Sequence, residues 1–273
     1  MVEVEHAQWA PVAAWLGREI GFVIGPDRYY LVHANCRELL AETRLASPQA
    51  LVDAASSDPR LRQRLINAGT INESFFFRDV NLWQDLGTRV LPDLAKECAF
   101  RRRIEVLICA CSRGQEVYTL AMLAAERAAE LQGVSLSITA TDIDTEVIGS
   151  ARTGRYSDLE VGRGLSPERR ERFFTRAGDS WQVRPELQAG ISFSQINLNT
   201  AFTFPLRYDL VFCRNVLIYF STPARKLVVD RLGNYTSNWG WLVLGGAETL
   251  LGISDTWNPR RMGDSTFYQK HYG

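Results

Sequence analysis

From about residue 100 onward the 273-residue chain predicts an α/β domain whose mostly parallel sheet is covered on both faces, and an all-α segment precedes it. Three observations carry that reading. Short apolar runs alternate with amphipathic helical stretches. One strand-to-helix junction, L-I-C-A-C-S-R-G-Q-E-V-Y (Leu107–Tyr118), passes through a tight Ser112-Arg113-Gly114 turn. The next strand ends on an acid, Asp142, in A-T-D-I-D-T-E (Ala140–Glu146). A strand that feeds a helix through a glycine turn gathers backbone N–H groups and the positive helix end at one spot. An acid closing the second strand of such a unit, on the order of 20–30 residues after the turn, commonly holds ribose hydroxyls. The pair predicts a nucleoside-containing cofactor.

The elements follow in order. Ala7–Ile20, Asn35–Leu45, Pro48–Ser56 and Asp58–Ala68 each space apolar residues at three and four, the period of an amphipathic helix. Asp58-Pro59 is an N-cap followed by proline at the first helical position. Asn81–Ala95 carries Leu82, Leu86, Val90 and Leu94 on one face and reads as a linking helix over 81–100 between a helical domain at 1–80 and a second domain at 101–273. There, strands at Ile104–Ala110, Leu136–Thr141, Ile191–Ile196, Tyr208–Cys213, Trp241–Gly245 and Thr266–His271 alternate with helices at Glu116–Gln132, Glu146–Thr153 and Ala224–Asn234. The interval 155–190 breaks the rhythm with a charged helix, Pro167–Phe174, and then T-R-A-G-D-S-W-Q-V-R-P-E-L, which reads as a small antiparallel hairpin inserted at around 172–195.

Composition narrows the class. Hydrophobic residues at 46% and charged residues at 23% are globular values. Lys+Arg and Asp+Glu are both 31, so net charge offers no reason to expect nucleic acid or a membrane surface as partner. No apolar run approaches the roughly 18–20 residues of a membrane span. The opening M-V-E-V-E-H is acidic and lacks the basic and apolar regions of a signal peptide. The five cysteines (36, 98, 109, 111, 213) have no C-x-x-C spacing, and buried thiols in a reducing, cytoplasmic setting are expected. The three histidines (6, 33, 271) fall in no motif, and no metal-ligand cluster is present.

Four clusters carry the chemistry: G-T-I-N-E-S-F-F-F-R-D (Gly69–Asp79), C-S-R-G-Q-E-V-Y-T-L-A-M (Cys111–Met122), A-T-D-I-D-T-E-V-I (Ala140–Ile148) and D-L-V-F-C-R-N-V-L-I-Y-F (Asp209–Phe220). In order and spacing they resemble the bacterial chemotaxis receptor methyltransferases, the CheR family, over essentially the whole chain. The resemblance implies a Rossmann-like class I AdoMet-dependent methyltransferase domain with a small antiparallel β insertion, preceded by an all-α receptor-recognition domain. It implies S-adenosylmethionine (AdoMet) as methyl donor, S-adenosylhomocysteine as product, and glutamate side chains on the cytoplasmic signalling helices of methyl-accepting chemoreceptors as targets.

Residue by residue, the resemblance assigns Asn72, Ser74 and Arg78 to a linker that reaches over cofactor and active site, Ser74 keeping the hydroxyl of a more usual threonine. Arg78 is expected to pair with the substrate carboxylate and orient an oxygen toward the methyl. Glu116 matches an acid that contacts the cofactor, and Asp142 the ribose ligand. Asp144 is expected to cap the following helix. Asn197 and Leu198 match an adenine contact. Arg214 and Asn215 follow an apolar strand at its carboxyl end, the crevice where open α/β sheets bind ligands. Tyr219 would project toward the same methyl if its segment turns into a helix. Arg113, Gln115 and Val117 depart from the family pattern, and Arg113 is expected to alter access or charge at the pocket. A compact hairpin region (Arg176–Arg184) implies weak or no binding of a receptor C-terminal pentapeptide. A monomer is expected. Two other readings stand beside the leading one: an AdoMet-dependent methyltransferase of another protein or small carboxylate in a non-chemotactic pathway, and a non-catalytic AdoMet-binding regulatory module.

Overall fold

The computed structural model describes residues 7–271. The acidic opening Met1–His6 lies outside them. Four helices come first: α1 (Ala10–Ile20), α2 (Tyr30–Thr43), α3 (Pro48–Ser57) and α4 (Pro59–Gly69). Ser47 and Asp58 cap α3 and α4 by accepting from Ala50 N and Arg60 N, each with proline at the start of the helix where a missing N–H costs nothing. The linking helix has two pieces, α5 (Val80–Asp85) and α6 (Leu91–Glu97), joined by a π turn at Leu86–Val90. The turn has a cause in the sequence. Pro92 has no N–H to give the carbonyl four residues back, and the ladder shifts so that Leu91 N–H reaches Leu86 O.

The second half builds a seven-stranded main sheet and a three-stranded inserted one from β1 (Arg103–Cys109), α7 (Gln115–Glu126), β2 (Ser135–Asp142), α8 (Thr145–Thr153), then β3 (Arg155–Ser157), α9 (Asp158–Gly162), α10 (Pro167–Phe173), β4 (Phe174–Ala177), β5 (Ser180–Val183), β6 (Ile191–Gln195), β7 (Tyr208–Cys213), α11 (Thr222–Asn234), β8 (Thr236–Val243), β9 (Trp257–Met262) and β10 (Ser265–Lys270). The sheet order is β6-β2-β1-β7-β8-β10-β9, parallel through β8 and antiparallel at β10 and β9. Strand order reverses between β1 and β7, which opens a crevice at their carboxyl ends. Asp144 caps α8 by accepting from Glu146 N and Val147 N, as expected.

The structure departs from the sequence reading in three places. The inserted unit is a three-stranded sheet, β3-β5-β4, and Ile191–Gln195 belongs to the main sheet, pairing with β2 rather than with the insert. With only three residues, β3 is too short to show a period of two. No strand is predicted over Trp257–Met262, where the edge strand β9 carries Pro259, a residue tolerated only where no ladder bond is needed. The segment Leu217–Tyr219 forms a single 3-10 turn instead of a helix.

Alternation along the central strands divides the core in two. Val106, Ile108, Leu210, Phe212 and Val243 face a cluster that includes α5, α6, α7 and the insert, with Phe76, Tyr156 and Phe174 edge to face. Leu107, Cys109, Val211, Cys213, Leu242 and Leu244 face the other, which includes Trp9, Trp15, Leu16, Leu51 and Leu65 of the N-terminal helices. The helical segment thus forms part of the covering of one sheet face. All five cysteines are free and buried.

Candidate active site

The crevice above the carboxyl ends of β1, β2, β6 and β7 is a cleft of about 910 Å³, counting the open solvent at its mouth. Asn72, Ser74, Arg78, Glu116, Asp142, Asn197, Leu198, Arg214, Asn215 and Tyr219 all line it, although they come from five separate stretches of chain. Ile20, Phe22, Phe220 and Ile196 add apolar wall.

Its floor is the turn after β1. Ala110, Ser112 and Gly114 all adopt positive φ, at 53°, 50° and 87°. Alternate left-handed residues curl the backbone into a concave nest. The two that are not glycine carry a cost of order 1 kcal/mol each, which the surroundings must offset. They do so through Ser112, whose N–H donates to Asp142 Oδ2 at 2.8 Å and whose hydroxyl donates to Asn72 O at 3.1 Å. The first tie joins β1 to β2, and the second joins the turn to the linker. A Cβ at Gly114 would meet Ala151 Cβ at 3.0 Å and Tyr156 Oη at 3.2 Å, so both neighbours would have to give, and the φ of 87° strains any other residue.

Asp142 also accepts from Asp144 N at 3.0 Å. Each of its oxygens keeps a further lone pair for a hydroxyl donor. Burial pushes its carboxyl above the ordinary range, against the pull of these backbone donors. Glu116, in the first turn of α7, is likewise raised by burial, and Arg214 opposes the shift. Arg214 is 1% exposed at its side chain and binds Glu116, Asp79 Oδ2 at 2.6 Å and Arg78 O at 3.1 Å. Its guanidinium carbon lies 5.4 Å from the Trp83 ring centroid, and its buried Nε–H has no partner among the described residues.

Arg78 donates from Nη1 to Glu73 O at 3.3 Å and lies over the Phe75 ring. Tyr219 packs against Phe22 with centroids 5.0 Å apart. Burial raises its phenol, while the positive charge of Arg78 lowers it. Two amides are already engaged. Asn72 Nδ2 donates to Asp144 Oδ2 at 2.7 Å, and Asn197 Nδ2 donates to Glu19 O at 2.8 Å while its Oδ1 accepts from Asn199 N. These two residues brace the wall, and the Asn197 tie brings α1 to the strand end. Arg113 is not in the lining: it pairs with Glu160 of the insert at 2.9 Å, so the expected change of charge at the pocket does not arise from it.

Glu248 escaped the sequence reading. Its carboxylate accepts from Asn215 N at 2.7 Å, Gly245 N at 2.8 Å and Ile218 N at 3.3 Å, fastening the 215–218 turn beside the cleft. The available signal was its position, an acid just past the apolar run of β8 in L-G-G-A-E. Asp79 was overlooked as well, although it stands next to Arg78. Among the described residues no His/Cys/Asp/Glu group is arranged to hold a metal, and no helix is long and apolar enough to cross a membrane.

A family model described as CheR methyltransferase, SAM binding domain, matches residues 72–263. The chain belongs to the CheR methyltransferase family. Relatives extend the likeness to the helical segment. The "Chemotaxis protein methyltransferase" of Vibrio parahaemolyticus is 33% identical over 273 residues, 98% of either chain. "Chemotaxis protein methyltransferase 1" of Pseudomonas aeruginosa is 33% identical over 255 residues, 92% of this chain and 93% of its own. A solved glycopeptide N-methyltransferase, MtfA with AdoMet, covers 66% of this chain and 58% of its own at 15% identity and a TM-score of 0.36, too slight a likeness to argue from. The residues fit the cofactor of this CheR domain. A buried acid with free lone pairs ends β2. Opposite charges, Glu116 and Arg214, stand side by side for an amino-acid zwitterion, and the Nε–H of Arg214 is a donor in reserve.

Proposed function

We propose that this CheR-family enzyme forms methyl esters on glutamate γ-carboxyl groups of chemoreceptor-type signalling helices in the cytoplasm. The observation that carries the reading is Arg78, a guanidinium at the cleft beside Tyr219 whose side chain donates, among the described residues, only to the Glu73 carbonyl. Bound AdoMet supplies an electrophilic methyl group on a sulfonium sulfur. The chain supplies placement. Asp142 takes hydroxyl donors, Glu116 an ammonium, and Arg214 a carboxylate through its unused donor, with Asn215 alongside. Ile20, Phe22, Leu198 and Phe220 exclude water. Arg78 pairs with the incoming carboxylate and aims one oxygen along the transfer axis. Tyr219, a phenol whose ordinary pKa of about 10 already leaves it protonated at neutral pH, offers a second donor. A glutamate carboxyl is ionised at neutral pH, so no general base is required. Alignment supplies most of the acceleration, roughly 7–11 kcal/mol in the best cases.

Incubation with radiolabelled AdoMet and receptor signalling domains tests the proposal through base-labile label. Arg78→Ala is expected to lower transfer by at least about 100-fold, the scale of a misplaced reactant, with AdoMet affinity largely intact. Unaltered turnover removes Arg78 from the mechanism. Label appearing instead on another protein or a small carboxylate favours a non-chemotactic methyltransferase, and AdoMet binding without any transfer favours a regulatory module. Tail-peptide tethering is expected to be weak or absent. The β4–β5 turn holds only Gly178 and Asp179, and Arg176 is committed to Asp158 and to Gly178 O. Tight calorimetric binding of a receptor C-terminal pentapeptide overturns that expectation.

A further inference from the structure

Arg78 lies between two non-glycine residues in the left-handed region, Phe77 at φ 52° and Asp79 at φ 66°. For a bulky phenylalanine this is a costly conformation that persists only where its surroundings over-determine it. Phe77 N–H donates to Thr119 Oγ1 at 3.1 Å, which secures one side. Trp83 meets the Phe77 ring edge to face at 6.3 Å and donates to Arg78 O, while Arg214 holds Asp79. The remaining side is covered by a short arm of the inserted unit, residues 163–169, which runs from the end of α9 into α10.

The Arg169 guanidinium carbon stands 3.7 Å from the centroid of the Phe77 ring. Two parallel bonds to Glu126 of α7, Nε to Oε1 at 2.8 Å and Nη2 to Oε2 at 2.9 Å, fix its plane. Such a fork sets orientation as well as energy. Arg163 lies over the Phe75 ring at 4.4 Å and pairs with Glu73 at 2.8 Å. Phe75 also carries Arg78 on its ring, and the Glu73 carbonyl accepts from Arg78. Between the two arginines, Gly164 at φ +94° approaches so closely that a Cβ there would stand 1.8 Å from Phe76 O. The guanidinium of Arg78 therefore rests on two groups that Arg163 grips, and its main chain follows directly on the ring that Arg169 grips. Neither arginine lines the cleft.

We propose that Arg163 and Arg169 are positioning residues for Arg78, so that the insert sets the geometry of methyl transfer without touching the substrate. The exposed Arg163–Glu73 pair contributes little to stability, and the partly buried Arg169–Glu126 fork contributes more. Their effect is on aim, where small displacements matter most. The proposal rests on the reading of Arg78 as the group that orients the substrate carboxylate.

The test is a kinetic cycle in the full chain. Arg169→Met and Arg163→Met keep side-chain length and remove the charge and the planar donor face. Each is expected to lower kcat about tenfold, with AdoMet Kd unchanged within about twofold, since alignment rather than binding is lost. In an Arg78→Lys background the same substitutions should cost less than about twofold, because the group they position is gone. Unchanged kcat, or an equal loss in the Arg78→Lys background, overturns the proposal. A second measurement needs no turnover and also serves where a Met variant folds poorly. The Nε–H resonance of Arg78, assigned by its absence in Arg78→Lys, should shift in Arg169→Met and in the milder Arg169→Lys, and an unmoved resonance overturns the positioning role. A shifted resonance in a protein that methylates no receptor domain supports the positioning and sinks only the functional reading beneath it.

Discussion

Two carboxyls in one cleft are held above their ordinary range, Glu116 and Asp142, and in both the larger cause is burial. The sign follows from linkage. A group whose folded-state pKa is raised contributes stability that is fully present below the unfolded value, about 4.3 for Glu and 3.9 for Asp, and lost as pH rises through the folded value. At neutral pH the ionised pair is therefore a cost to the fold, which ligand donors offset. Protons compete with those donors, so AdoMet affinity is expected to fall as pH drops through the raised pKa values, above the ordinary carboxylate range, by at most about tenfold per unit for each group. Glu116→Gln should flatten part of that dependence. Titration calorimetry across the window decides it, and a flat wild-type profile removes these carboxylates from binding. Arg214 belongs to the same scale. It has two acidic partners and is almost wholly buried, so Arg214→Met would leave Glu116 without its cation, a loss of about 3–5 kcal/mol when a buried pair is broken from one side.

Among elements, the arm between α9 and α10 packs tighter against its neighbours than any sequence pattern suggests. Gly164 and Gly178 both adopt positive φ, yet a Cβ at Gly178 would have nothing within 4 Å, whereas one at Gly164 would collide with the main chain of Phe76. Gly164→Ala is thus expected to cost at least about 2–3 kcal/mol and lower the thermal midpoint by about 5–10 °C. Gly178→Ala carries only the backbone term of about 1 kcal/mol. Equal midpoints for the two variants would show that the arm yields more easily than its contacts imply. The π turn between α5 and α6 is the other local device. It lets one apolar face, Leu82, Leu86, Val90 and Leu94, stay buried across a proline.

At the scale of the whole molecule, the sheet is one wall shared by two cores. Removing residues 1–70 would strip Trp15, Leu16, Leu51 and Leu65 from the face formed by Leu107, Val211 and Leu242, leaving an apolar surface far larger than soluble monomers tolerate. The same deletion removes Phe22 and Ile20 from the cleft and the Asn197 tie to α1. The truncated chain is expected to aggregate or unfold without a sharp transition, while the full chain melts in one step with matching calorimetric and van't Hoff enthalpies. A soluble fragment over 71–273 with its own sharp transition and unchanged AdoMet affinity would show the helical segment to be an independent domain.

Much of this was legible in the chain itself. The central strands stood out as short apolar runs because both their faces are buried, and most helices stood out by periodicity because one face is wet and the other dry. The acid ending β2, the turn after β1 and the arginine segment after β7 could be picked out because each stands at a strand's carboxyl end. What the sequence could not reveal depended on partners distant in the chain. The three residues of β3 become a strand only beside β5, Pro259 is tolerated only because β9 lies at an edge, and Glu248 matters only because three N–H groups from two loops converge on it. Asn72 and Asn197 belong to the cleft by sequence, yet tertiary packing turns their amides onto Asp144 and Glu19. Local chemistry specified which residues reach the site, and long-range contacts decided which of their atoms remain free to act there.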